Sequence, residues 1–218
     1  MKKVLIITHH DFADPGIITN ILQKDFLLST INYKKLNKLK INETKSYSLF
    51  IFIGGNMSAN SKSRHILNEY KFISKLIELN KNILGICLGA QIIAKIYGSK
   101  ISFSKNQIIE VGYRKTNLKK EMHFLQFHNE GISLNPYMEV LAQGRLFDID
   151  AFKIKNKNIY GFQFHPEVNN FMIESWYKDI DKKKKGVDSL KNILRDYKKY
   201  NKANYLWINN HLKKILFD

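Results

Sequence analysis

"LGICLGAQIIA", residues 84–94, decides how this chain is read. An apolar run, Asn82 to Ile86, leads in, and a helix-like run, Ala90 to Tyr97, leads out before Gly98. Between them stands Cys87, the one cysteine of the chain, with Gly85 and Gly89 two positions to either side. A buried strand that turns sharply into a helix pushes the side chain at its corner out of the sheet. The helix N-terminus behind the corner favours a thiolate and offers backbone N–H groups to a developing oxyanion. Glycines on both flanks let so tight a corner form without side-chain collisions. The stretch therefore reads as a setting for a cysteine nucleophile. Set against that is a buried structural cysteine, the common role of a lone cysteine in an apolar run.

Working outward, the same alternation recurs. "KVLIIT" (3–8) reads as a strand, and Asp14-Pro15 opens a helix expected to reach about Leu28. "LFIFIGG" (49–55) is a buried strand ending in two glycines, and residues 63–80 place Ile66, Tyr70, Ile73 and Ile77 at helical spacing. Residues 82–86 form a third strand and 88–97 a helix. Strand alternating with helix predicts an α/β fold with a central, largely parallel sheet flanked by helices. Beyond Gly98 shorter extended pieces follow at 100–103, 108–115, 123–127, 138–143, 149–154 and 159–164, then a helix at 171–178. Residues 181–218 read as one or two basic amphipathic helices after a core of about 1–180, all within a single domain at 1–218.

One cysteine leaves no internal disulfide framework and fits a reducing cytoplasm, the expected location. The apolar run after "MKK" is too short for a signal sequence or a membrane span, so no membrane partner is expected. The charge is +17, from 36 Lys and Arg against 19 Asp and Glu. It is spread out: residues 181–218 hold eleven Lys and Arg and four Asp and Glu, +7, which leaves +10 for the rest. Lys, Asn and Ile are all abundant, the mark of AT-rich coding. Aromatics interleaved with Arg are missing, so no nucleic-acid partner is expected.

A cysteine nucleophile needs a base, and the base an orienting group. "YGFQFHPEV" (160–168) supplies both at the end of an apolar strand. His165 and Glu167 lie two apart, so an extended backbone aims them to one side, and Pro166 biases His165 away from helix. The other histidines (His9, His10, His65, His123, His128 and His211) are read as lacking this strand-end setting. The set His9, His10, Asp11, His123 and His128 matches no zinc-ligand spacing, so neither metal nor cofactor is expected.

"GICLGAQ" followed by "QFHPE" resembles the class I, or triad, glutamine amidotransferases over roughly residues 1 to 180, and free-standing members related to the glutaminase domain of GMP synthase above all. "FIGGNMSAN" resembles the glycine-rich loop of that family, "EVGYRKT" (110–116) its Glu-x-Gly segment, and "LQFHNEGISLNP" (125–136) its substrate strand. The resemblance implies that Cys87 attacks a γ-glutamyl carbonyl, with His165 as base and then acid and Glu167 behind it. It implies an oxyanion hole from the N–H groups of Gly55 and Leu88, and a glutamyl pocket from Gln91, His128, Asn129 and Glu130. Asn56 stands where the family often has proline, and His128-Asn129-Glu130 where it often has His-Gly-Asp.

The glutaminase-like fold is expected to account for all 218 residues, with no acceptor domain among them. The main expectation is therefore a self-sufficient hydrolase of a small γ-glutamyl conjugate. The γ-glutamyl-CDP-amidate hydrolases of bacterial capsule pathways, which the chain also resembles in size and motifs, exemplify it. Arg114, Lys115, Arg145, Lys62 and Arg64 are then the candidate cations for a phosphorylated leaving group. The alternatives are a glutaminase passing ammonia to a separate synthase partner, and a silent binding or regulatory protein.

Overall fold

The computed structural model describes residues 1–9, 15–118 and 122–217. Its elements run β1 (Lys3–Thr8), α1 (Ile17–Leu22), β2 (Leu27–Asn32), β3 (Tyr47–Phe52), α2 (Arg64–Glu78), β4 (Ile83–Ile86) and α3 (Leu88–Ile96). There follow β5 (Ile101–Phe103), β6 (Glu110–Thr116), β7 (Met122–His128), β8 (Glu130–Ile132), β9 (Met138–Gln143), β10 (Ile149–Ile154) and β11 (Ile159–Phe162). Two helices, α4 (Asn170–Lys178) and α5 (Leu190–Phe217), close the chain.

Five strands pair in parallel in the order β2-β1-β3-β4-β11, and β10, β8, β5 and β9 extend the sheet in antiparallel fashion. Strands β6 and β7 form a separate antiparallel ribbon. The inner parallel strands are apolar at nearly every position because both sheet faces are covered there. Alternate residues of β1 and β3 divide between the faces: Leu5, Ile7, Phe50 and Phe52 pack with α2 and α3 through Ile66, Ile73 and Ile92. Val4, Ile6, Leu49 and Ile51 pack on the other side with α5 through Ile208, Leu212 and Ile215.

The alternating core matches the α/β expectation, with corrections at its edges. The opening helix does not reach Leu28; it ends at Leu22, and Leu27–Asn32 is an edge strand paired with β1. The half-exposed pattern of that strand has no clean period, so Phe26 and Leu28 fit a helix stripe as well. Asp14, the expected helix opener, lies outside the described residues, as do His10 and Asp11. The strand expected at 159–164 stops at Phe162; Gln163–Glu167 leave it, with His165 held by a lone bridge to Leu125. The C-terminal segment is one continuous helix of 28 residues. Among the described residues, no helix is long and apolar enough to cross a membrane.

Candidate active site

Strand β4 ends at Ile86 in the middle of the parallel array and α3 begins at Leu88, so Cys87 alone makes the turn. It does so at φ 49° and ψ −106°, a conformation that L-residues seldom adopt. The Cys87 N–H donates to the Phe162 carbonyl at 2.7 Å and its own carbonyl accepts from the Gln91 N–H at 2.9 Å, which pins the corner on both sides. Neither flanking glycine has room for a side chain. A Cβ at Gly85 would meet the Ala90 nitrogen at 2.6 Å, and one at Gly89 the Phe52 carbonyl oxygen at 2.3 Å. A non-glycine residue in this backbone region stores ~1–3 kcal/mol, held only where the surroundings over-determine it. Here they do, because every residue from Leu88 to Ala94 is buried.

β11 is the parallel neighbour of β4, so the chain leaving it passes beside the corner. His165 Nδ1 lies 2.7 Å from Glu167 Oε1, with the two side chains only 5% and 2% exposed. Burial alone would lower the imidazole, but the Glu167 carboxylate and the Cys87 sulfur, which also hydrogen-bonds it, outweigh burial and hold His165 well above the usual histidine range. The Trp176 ring stands edge-on to the imidazole at 4.9 Å, and Gln163 Nε2 reaches to 3.8 Å from Cys87 Sγ.

Cys87 and His165 open into a cavity of about 460 Å³. Gly54 and Gly55 form one wall, and a Cβ at Gly54 would come within 2.8 Å of His165 Cε1 and 3.4 Å of Cys87 Cβ. Leu88 is the first residue of α3, so its N–H is among those a helix leaves without an internal partner. The opposite wall carries Gln91, His128, Asn129 and Glu130. Of the residues expected from the sequence, Gly55, Cys87, Gln91, His128, Asn129, Glu130 and His165 line this cavity, while Leu88 and Glu167 adjoin it through Cys87 and His165. Gln91 faces its neighbours as much as the cavity: its Nε2 donates to the Glu130 carbonyl at 2.9 Å and to Gln163 Oε1 at 3.2 Å. His128 ends β7 with Nδ1 donating to the Glu130 carbonyl and Nε2 3.0 Å from the Gln126 side-chain amide. Burial lowers it to about 3, so the ring is neutral. Glu110, from the segment read as Glu-x-Gly, lies 3.7 Å from His128 Nε2.

Several readings are corrected here. His128 does stand at a strand end, and His9 directly follows β1. His9, His123 and His128 occupy three separate environments, against Glu69, the Tyr200 ring and Gln126 respectively, and no metal-binding group of side chains occurs among the described residues. None of the five expected cations lines the cavity. Arg114 is spent on Asp188, with Nη1–Oδ2 at 2.5 Å, and on the Gly186 carbonyl; Arg145 lies 3.7 Å from Glu110. The rim holds Lys184 together with Asp179 and Asp181, residues no local pattern singles out. A larger cavity of about 520 Å³ lies between α5 and the 166–168 segment, but it is lined by tyrosines and apolar groups with Asn201, Lys202 and Asn204, and holds no cysteine or histidine. The candidate site lies in the smaller one, which holds Cys87 and His165.

A buried thiol beside a carboxylate-backed imidazole, with backbone N–H donors to hand, is an arrangement for acyl transfer through a thioester. Comparisons with known proteins bear on the family and the fold. A family model described as glutamine amidotransferase class-I matches residues 14–171. The chain is 31% identical over 171 residues to the glutamine-hydrolyzing GMP synthase subunit of Methanosphaera stadtmanae, covering 71% of this chain and 88% of that protein. It is 39% identical over 97 residues to the protein of the same name from Methanobrevibacter smithii, covering 40% of this chain and 51% of that one. The chain thus spans about half the length of several curated relatives it matches. Among solved structures, a glutamine amidotransferase from Thermotoga maritima superposes with TM-score 0.87 at 22% identity, over 99% of this chain and 98% of that one. Another, from Methylobacillus flagellatus, gives 0.85 at 20%, over 99% and 94%. At such identities the likeness concerns the fold.

Proposed function

The chain belongs to the class I glutamine amidotransferase family, and from that premise we propose that it hydrolyses the side-chain amide of glutamine and supplies the ammonia to a separate synthase. The observation that carries the reading is Cys87 at its strained corner beside a His165 held by Glu167 at 2.7 Å. Cys87 Sγ attacks the γ-carbonyl carbon while its proton resides on His165. The oxyanion that forms takes hydrogen bonds from the N–H groups of Gly55 and Leu88, each worth ~3 kcal/mol of barrier. His165 gives its proton to the departing nitrogen, and ammonia leaves. Water, deprotonated by the same imidazole, then attacks the thioester, and glutamate departs with the thiol restored. Glu167 keeps the ring in one tautomer and balances its charge. Gln91 and the His128–Glu130 segment seat the glutamyl end.

The synthase partner is inferred from the relatives, whose names describe the glutamine-hydrolyzing component of GMP synthase. The competing reading, a self-sufficient hydrolase of a phosphorylated γ-glutamyl conjugate such as a nucleotide phosphoramidate, drew on the positive charge. It loses support because the cavity rim carries two carboxylates and one lysine. The test compares kcat/KM for glutamine, alone and with a candidate synthase, against γ-glutamyl-CDP-amidate. Hydrolysis of glutamine that rises with the synthase supports the proposal. Faster turnover of the conjugate, with no response to any synthase, refutes it.

A further inference from the structure

The buried stripe of α2 comprises Ile66, Glu69, Phe72, Ile73 and Leu76. Four are apolar and the fifth is a carboxylate with no exposed surface. Leucine at this position would satisfy helix packing, and a buried carboxylate is costly unless it is paired. Its partner is His9, sixty residues away, whose Nε2 lies 3.0 Å from both Glu69 oxygens with neither side chain exposed. The Tyr33 ring closes against the imidazole at 4.9 Å.

What His9 touches next gives the pair a purpose. A Cβ at Gly55 would meet His9 Cβ at 2.7 Å and Cγ at 3.0 Å, and Leu88 Cδ2 at 3.1 Å. Residue 55 therefore packs against the base of the His9 side chain and against Leu88 with no room to spare, so where His9 stands limits where the Gly54–Gly55 loop can lie. Two oxygens of one carboxylate grip one ring nitrogen and set the position of the ring in a way that apolar packing would not. Resting on the thioester reading above, we infer that His9 and Glu69 are positioning residues for the Gly54–Gly55 loop, holding the Gly55 N–H where the oxyanion develops. Neither side chain lines the cavity into which Cys87 opens. An oxyanion donor acts only when it stands within hydrogen-bond distance of the transition-state oxygen, so a small drift of the loop is felt in turnover rather than in binding.

The test is the paired replacement His9→Leu with Glu69→Leu, since exchanging a buried ion pair for apolar residues is often neutral or stabilising. Two rates are read: glutamine hydrolysis, and alkylation of Cys87 by iodoacetamide, which displaces iodide at a saturated carbon and builds no oxyanion on a carbonyl. The expected result is a kcat about 10- to 100-fold lower, with KM and the alkylation rate each within about twofold of wild type. A kcat within twofold of wild type overturns the inference. So does an alkylation rate that falls in step with kcat, because the pair would then act on Cys87 or His165. If the paired variant does not fold, Glu69→Gln keeps the shape and one hydrogen bond; it should show the same split at smaller size, and an unchanged kcat overturns the inference. Wild-type protein that hydrolyses no γ-glutamyl amide refutes the thioester reading before any variant is made, and this inference with it.

Discussion

Replacing Glu167 with glutamine removes one charge and almost no volume. In the native protein the carboxylate lies 2.7 Å from His165 Nδ1, and both side chains are almost wholly buried, so solvent screens little of the interaction. For charge centres about 4 Å apart at an effective dielectric near 20, the imidazolium loses roughly 4 kcal/mol, about three pKa units. Burial, which opposes the charged ring, is then balanced only by the Cys87 sulfur. The alkaline limb of the kcat/KM profile, where the imidazolium gives up its proton, should move toward acid by about two to three units. Moved from about 10 to about 7 to 8, the ring is partly deprotonated at pH 8, so kcat/KM there should fall about 2- to 10-fold from lost protonation, less than for His165→Ala, which removes the proton carrier itself. The stability effect has a definite sign. His165 is raised in the folded state, so its contribution is complete below the unfolded value of ~6.5 and fades as pH rises through the folded one. The variant should therefore be destabilised most near pH 6 and least in alkali. Full pH–rate profiles of both proteins, with circular dichroism to verify folding, provide the assay. An alkaline limb within half a unit of wild type in a folded variant would refute the reasoning, and losses equal to those of His165→Ala would give Glu167 a more direct part.

Cys87→Ala should lose at least ~10⁴ in kcat while its melting temperature changes by only a few degrees, since one sulfur atom is removed from a corner fixed by backbone; residual turnover of a few per cent would rule out the thioester. Gly89→Ala drives a Cβ to 2.3 Å from the Phe52 carbonyl oxygen, backbone against backbone, and should cost ~3 kcal/mol or more in urea unfolding. His128 is lowered to about 3 in the folded protein, so it lends stability above ~6.5 that is lost as pH falls below that. The slope should be about 1.4 kcal/mol per pH unit, and His128→Asn should flatten it in denaturation series from pH 7 to 4.

The sequence by itself determined the parts of this protein that rest on local geometry. Gly85-Ile86-Cys87-Leu88-Gly89 announces a corner because only glycines fit beside one, and His165 and Glu167, two apart, are legible as neighbours, although they meet in a turn after β11 has ended rather than along an extended strand. The parallel core was legible because strands buried on both faces are continuously apolar and the intervening helices keep a 3.6-residue period. Where burial is partial the signal fades, and for that reason the start of the edge strand Leu27–Asn32 was read as the end of a helix and the rest of it was not picked out.

Only the tertiary structure decided what depends on distant parts of the chain meeting. Composition counts charges without giving their positions: Arg114 is occupied by Asp188, 74 residues on, and the cavity rim is built by Asp179, Asp181 and Lys184. Glu69 looks like a solvated residue on an amphipathic helix until the fold turns it inward onto His9. Gln163 opens "QFHPE" without a role legible in it and Trp176 lies in no motif, yet they stand beside Cys87 and His165. The order of the strands is responsible. By placing β11 next to β4, the sheet brings residue 165 to residue 87, and that pairing is a long-range backbone register that no window of sequence contains.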